Sequence, residues 1–342
     1  MTTDLPDYRL AAKLHWHQQG MTDDWFAAMD MFVPHTVLRI GELVHEGAWL
    51  AHYTNADTAV KLLRNGEFWL RNALTMNDPS EIRYGFSLLD DAHGKVQITL
   101  NKLAVDLFGA TLDEVTKGYH TLIQNTYTKT FIGCLSEFSE KLDPESLGRL
   151  SMWRAYGGDC GVALIINPNP IVQATSRMAV RTFPVRYSES VNVLKDYRDL
   201  IDRLEANRDV IKRNGAPQFA SMLQFFFDTI VLGSKHKGFE EEREWRLVYR
   251  ADSQARHLKP PKLDVETIRG IPQVVQKIEL KNGITGSGGT FLFDQLIHRV
   301  IVGPCDQSIL INDALFVTLM MNGFSNPELR VKQSAIPLRR AW

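Results

Sequence analysis

Runs of apolar residues with period two or near 3.6 divide this chain into short strands and helices. The first 45 residues are helical in pattern and aromatic-rich, with Trp16, Trp25, Phe26 and Phe32 interrupted by Pro34. Gly47-Ala-Trp-Leu-Ala-His-Tyr-Thr54 reads as a short buried strand. Asn55 or Asp57 then caps a helix over Thr58 to Asn65, which closes at Gly66. Phe68 to Arg71 is a second strand, followed by the turn-forming Asn77-Asp78-Pro79 and a helix from Glu81 to Leu89. Residues 95–129 are helical in pattern, Lys129 to Ser136 is a strand running into a loop, and Ser151 to Tyr156 is a short helix closed by Gly157-Gly158. Gly161-Val-Ala-Leu-Ile-Ile166 follows as another buried strand, and Thr182 to Tyr187 as a further one. Residues 190–235 read as a charged helical insertion ending in the apolar run Met222 to Leu232. Beyond it lie a Pro/Lys loop (Lys259-Pro-Pro-Lys262), a strand over Val275 to Leu280 and a glycine-rich loop from Gly283 to Gly289. Strand Val300 to Val302, helix Ser308 to Met321 and strand Leu329 to Lys332 complete the chain. The succession predicts an α+β fold: a central mixed or split β-sheet flanked by helices. The organisation expected is a helical extension over 1–45 and a single domain over 46–342 that carries the insertion.

Composition narrows the function classes. With 342 residues and 44% hydrophobic positions the chain can bury a sizeable core. A net charge of -1 gives no electrostatic case for bulk nucleic-acid or membrane binding. Cys134, Cys160 and Cys305 are widely separated and odd in number, which argues against a disulfide framework or a CxxC metal site. The first residues lack the basic and apolar regions of a signal peptide, and no apolar run approaches the roughly 20 residues of a membrane span. A soluble, cytoplasmic protein without a membrane partner is expected.

The densest chemistry lies in Lys237-Gly-Phe-Glu-Glu-Glu-Arg-Glu-Trp-Arg-Leu-Val-Tyr249. Read as a strand from Glu242 onward, period two puts Glu242, Glu244, Arg246 and Val248 on one face, with Arg243, Trp245, Leu247 and Tyr249 on the other. Two carboxylates on one face suit acid-base or electrostatic work, so this strand is the leading active-site candidate; a solvated charged edge would carry the same composition. His52, with Tyr53 and Thr54, is either a satisfied core histidine or part of a polar pocket, because three consecutive hydrogen-bonding side chains need partners when buried. Asn77-Asp78-Pro79-Ser80-Glu81 is explained as a helix start, with Asp78 as cap and Glu81 as its box partner. A metal reading of Asp78 and Glu81 needs further carboxylates, which only folding could bring from Glu242 and Glu244. Ser151, Trp153 and Tyr156 share a one-turn helix, and Trp153 and Tyr156 are three residues apart on one face. They serve either as core anchors or as walls that stack on a flat ring such as nicotinamide or a nucleobase. Gly283 to Gly289 lacks the spacings of a phosphate loop, so a hairpin or flexible loop is expected.

Together, His52-Tyr53-Thr54, Asn77-Asp78-Pro79-x-Glu81, Ser151-x-Trp153-x-x-Tyr156, Lys237-x-Phe239-x-x-Glu242-x-Glu244-Trp245-Arg246 and Ile301-Val-Gly303 resemble a bacterial family of unknown function whose members occur near mobile and phage-defence genes. The order His52, Ser151/Tyr156, Glu242/Glu244 also resembles that of ADP-ribosyltransferases, whose sites draw a His or Arg, then a Ser or Tyr, then a Glu from a split β-sheet. That second resemblance implies an ADP-ribosyltransferase-like fold with NAD as substrate. It implies His52 on the adenosine-side ribose, Tyr156 or Trp153 against nicotinamide, and a glutamate on the nicotinamide ribose, with Tyr53, Thr54, Ser151 and Arg246 completing the pocket. His-first sites of that superfamily go with a tyrosine pair, whereas Glu-x-Glu goes with an Arg-first class and a Ser-Thr-Ser strand that this chain lacks. The function implied is an NAD-consuming transferase or glycohydrolase, acting as a toxin or antiviral-defence effector. Its acceptor, protein or nucleic acid, is unassigned, and a cognate antitoxin or phage protein would be its partner. The competing expectations are a metal-dependent nuclease built on Asp78, Glu81, Glu242 and Glu244, and a sensor module that binds without chemistry.

Overall fold

The computed structural model describes residues 7–75, 80–116, 129–139, 147–173, 179–251, 259–286 and 289–337. The chain divides into two compact units, each assembled from three separate segments: Met1–Glu42, Ala73–Thr130 and Phe183–Glu240 form the first, and Leu43–Asn72, Phe131–Thr182 and Glu241–Trp342 the second. Among the described residues no helix is long and apolar enough to cross a membrane.

The strands in chain order are β1 (Trp49–Asn55), β2 (Glu67–Asn72), β3 (Thr130–Phe138), β4 (Gly161–Ile166), β5 (Val180–Pro184), β6 (Arg186–Tyr187), β7 (Ser234–Lys235), β8 (Glu244–Arg250), β9 (Lys262–Ile268), β10 (Ile271–Glu279), β11 (Ile284–Gly286), β12 (Gly289–Phe291), β13 (Ile297–Val302) and β14 (Val331–Gln333).

The first unit is mainly helical. The extension forms helices Tyr8–His17, Asp23–Phe32 and Pro34–His45, and the insertion forms Ser190–Ala206 and Arg208–Val231. Both insertion helices pack on the 29-residue helix Ser80–Phe108. That helix buries Ile82, Leu89, Ala92, Val96, Leu100, Leu103 and Leu107, the three-and-four spacing of one face. It continues through the segment where the sequence suggests a break, because Gly94 is exposed with open space about it and costs only propensity. Gly85 lets the helices close up: a Cβ there would lie 2.2 Å from the Val231 carbonyl oxygen. Glu81 is not spent on a cap alone, since its carboxylate pairs with buried Lys235 at 2.9 Å. Asn77, Asp78 and Pro79 lie outside the described residues.

The second unit is built on a mixed ten-stranded sheet with the path β14-β13-β4-β1-β3-β2-β10-β9, and β8 joins it by pairing with β3 and with β5. Only β13 and β14 run parallel within that path. The fold is therefore α+β, a mixed central sheet flanked by helices. Asn55 accepts from the Thr58 amide at 2.8 Å and starts helix Ala56–Asn65, which ends at Gly66 in the left-handed region (φ 62°). This helix packs on β1 and β4, and helix Ser308–Met321 packs on it and on β13. The glycine-rich loop is a hairpin of β11 and β12. Two expectations change here. β9 lies where only a loop was expected, because it is an edge strand with most side chains exposed and so has no apolar signature. The last strand starts at Val331, after a helical turn over Pro327–Arg330.

Candidate functional site

Every site residue expected from the sequence falls in the second unit, apart from the carboxylates of the metal reading. Helix Leu150–Tyr156 lies on the β1 face that carries Ala51 and Tyr53. Trp153 anchors it. The indole is 3% exposed, meets the Tyr53 ring edge-on at 4.9 Å and donates its N–H to the Leu147 carbonyl at 3.0 Å. Glycines admit it: a Cβ on Gly303 would lie 2.9 Å, and one on Gly161 3.0 Å, from the same indole carbon. Trp153 is thus a core anchor, and Ile301-Val-Gly303 is the strand end that makes room for it. Ser151 and Tyr156 are half-buried on the same helix and reach the acidic turn. Ser151 Oγ donates to Glu241 Oε1 at 2.8 Å, and Tyr156 Oη donates to Glu242 Oε2 at 3.0 Å.

The acidic segment differs from the uninterrupted strand expected. Lys237–Glu242 is a 3₁₀ turn, Arg243 sits at φ 45°, and β8 starts at Glu244. Glu242 is therefore not on the strand, and period two does not relate it to Glu244. The two glutamates also have different surroundings. Glu244 and Arg246 are buried and paired, with Nε to Oε1 at 2.8 Å and Nη2 to Oε2 at 3.2 Å. Glu242 is half-buried beside the Tyr156 phenol. Both faces of β8 are buried, with Trp245 fully enclosed and its N–H donated to Glu137 Oε1 at 2.7 Å.

Arg149 organises this turn, and sequence reasoning did not single it out. Its buried guanidinium donates to the carbonyls of Glu241 (2.8 Å), Glu242 (3.2 Å) and Glu137 (2.9 Å) and to Ser136 Oγ (2.9 Å). Its own amide donates to Tyr53 Oη at 3.1 Å, which ties the clamp to β1. Ser136 Oγ in turn donates to the Glu242 carbonyl at 2.5 Å. Carbonyl acceptors belong to every residue, so such a clamp leaves no motif. A guanidinium that satisfies several backbone oxygens at once holds the turn in one conformation, and with it the directions of Glu241 and Glu242.

The structure does not add His52 to this group. Strand alternation turns it to the face opposite Tyr53, where its Nδ1 lies 3.0 Å from the Cys134 carbonyl and its ring meets Phe68 at 4.8 Å. Burial pushes its pKa below the ordinary value, and the Cys134 hydrogen bond pulls partly back. The unfolded chain takes up that proton near pH 6.5 and the folded chain only at lower pH, so stability falls as pH drops below about 6.5. His52→Gln should shallow the fall in unfolding free energy between about pH 7 and 5.5; equal slopes in the two proteins would contradict this. Thr54 is half-buried on the His52 face.

The carboxylates of the metal reading are not gathered. Glu81 is in the first unit, paired with Lys235, whereas Glu242 and Glu244 are in the second. Among the described residues no three His, Cys, Asp or Glu side chains are grouped to hold a metal ion.

The helix bearing Trp153 and Tyr156, β4, and the segment with Glu242, Glu244 and Arg246 all lie in one stretch that matches a known family model. Residues 152–247 are similar to the family described as "Protein of unknown function (DUF2971)". The likeness to a family of unknown function is thus shown over this stretch, which excludes His52 and Arg149. None of the curated proteins and none of the solved structures matches the chain.

Proposed function

We propose that the second unit cleaves the nicotinamide–ribose bond of NAD, acting as an ADP-ribosyltransferase or NAD glycohydrolase with Glu242 as its catalytic carboxylate. The observation that carries this reading is the Tyr156–Glu242 hydrogen bond, 3.0 Å long, on a turn that Arg149 clamps through its carbonyls. When the C1′–N bond breaks, nicotinamide leaves with the electron pair and positive charge develops on the ribose. Water or an acceptor then bonds to C1′ and gives up a proton. A carboxylate already oriented toward that charge need not reorganise during the reaction, and such preorganisation is the largest usual source of acceleration. Tyr156 holds Glu242 in place, and its half-buried ring offers an apolar face to the planar leaving group. Ser151 and Glu241, paired one helical turn away, supply polar groups for ribose hydroxyls.

This reading moves the catalytic role from Glu244 to Glu242, because Glu244 is engaged by Arg246 inside the core, and it leaves His52 outside the set. An enzyme of this kind depletes NAD, in keeping with the toxin role implied by the resemblance. The test is nicotinamide release from NAD by purified protein, followed by chromatography. Wild type should release it, and Glu242→Gln should be slower by about 10²- to 10³-fold with an unchanged melting temperature. Full activity in Glu242→Gln would remove Glu242 from the chemistry.

A further inference from the structure

Arg243 lies between the two glutamates, and neither the sequence reading nor the reaction above gives it work. Three features single it out. Its backbone sits at φ 45°, a left-handed conformation that a side-chain-bearing residue adopts only under constraint. Its Nη1 is buried and has no hydrogen-bond partner. Among the described residues it is the one arginine or lysine with such an orphaned buried atom. The carboxylates flanking it in sequence do not answer that need, since Glu242 is bonded by Tyr156 and Glu244 by Arg246. Its carbonyl accepts from the Glu137 amide at 2.9 Å, which ties the residue to β3 in this conformation. A strained backbone and an unmet charged donor at one residue both count against the isolated fold. An incoming anion compensates both, because it pairs with the guanidinium that the conformation holds in position.

We propose that Arg243 is the docking point for a phosphate oxyanion. Taken with the reading above, on which only the ligand's identity rests, that oxyanion belongs to the diphosphate of NAD. The fork of a guanidinium matches phosphate oxygens in two parallel hydrogen bonds, which an ammonium cannot reproduce.

Arg243→Gly separates strain from binding. Glycine adopts φ 45° freely and removes the orphaned donor, so the ligand-free variant should melt at or above the wild-type temperature. The same variant should bind ADP-ribose and inorganic pyrophosphate about ten- to hundred-fold more weakly in calorimetry, the usual worth of a charge-assisted hydrogen bond. Arg243→Lys keeps a charge and the backbone strain, and should fall between the two. The proposal is overturned if Arg243→Gly binds both probes as tightly as wild type, if neither probe binds wild type, or if the glycine variant is less stable. Arg243-dependent binding of both probes without nicotinamide release would retain this site and reject the NAD reaction. Nicotinamide release with Arg243-independent binding would do the reverse.

Discussion

Replacing Glu244 by alanine is expected to cost the fold about 3–5 kcal/mol, measured by denaturant unfolding, because it removes the carboxylate from a buried ion pair. Arg246 is fully enclosed and Glu244 is 5% exposed, so water cannot take the place of the missing partner. The pair itself contributes far less than that loss. Its attraction is offset by the cost of taking both charges out of water, so the double change Glu244→Leu with Arg246→Met should leave stability within about 1–2 kcal/mol of wild type. The contrast between single and double variants is the diagnostic result. Loss of activity in Glu244→Ala would then report damaged structure, whereas Glu242→Gln, at a half-buried position, should keep the melting temperature. A cost below about 1 kcal/mol for Glu244→Ala would mean that the pair is exposed to solvent in solution.

Trp153→Ala should be comparably damaging, at about 3–5 kcal/mol. The indole fills a space bounded by Tyr53 and by the bare backbones of Gly161 and Gly303, and main chain held in β4 and β13 cannot collapse into the cavity. The change also removes the N–H that serves the Leu147 carbonyl. Trp153→Phe keeps part of the volume and should cost less, while Gly303→Val should be costly in its own right, since its Cβ would lie 2.9 Å from the ring and 3.1 Å from the Gly161 oxygen. Because helix Leu150–Tyr156 carries Ser151 and Tyr156, Trp153→Ala should lower nicotinamide release in proportion to the fraction unfolded. Circular dichroism with activity at several temperatures checks that link. Full stability in Trp153→Ala would contradict a core role for the indole.

What the sequence revealed and what it hid have physical causes. Helix Ala56–Asn65 was legible because its cap, Asn55, and its stop, Gly66, are local chemistry. β4 and helix Ser308–Met321 were legible because each is a continuous apolar pattern of the expected length. β9 was not, since an exposed edge strand needs no apolar face. The pairing of Glu244 with Arg246 followed from two residues on one side of a strand. The site itself did not follow from local pattern. Ser151–Glu241 and Tyr156–Glu242 join residues 90 and 86 positions apart, and the Arg149 clamp acts on carbonyls that any residue would offer. Period two continued past Glu244 toward Glu242 only because it cannot register a single residue at φ 45°.

The measurement that bears most directly on the proposed chemistry is a time course of nicotinamide release from NAD, with wild type, Glu242→Gln and Tyr156→Phe compared at equal folded concentration. Wild type should release nicotinamide, Glu242→Gln should lose about 10²- to 10³-fold, and Tyr156→Phe should lose less, because it misorients the carboxylate without removing it. Folded wild-type protein that leaves NAD intact and transfers no ADP-ribose, or a Glu242→Gln protein as active as wild type, would contradict the assignment.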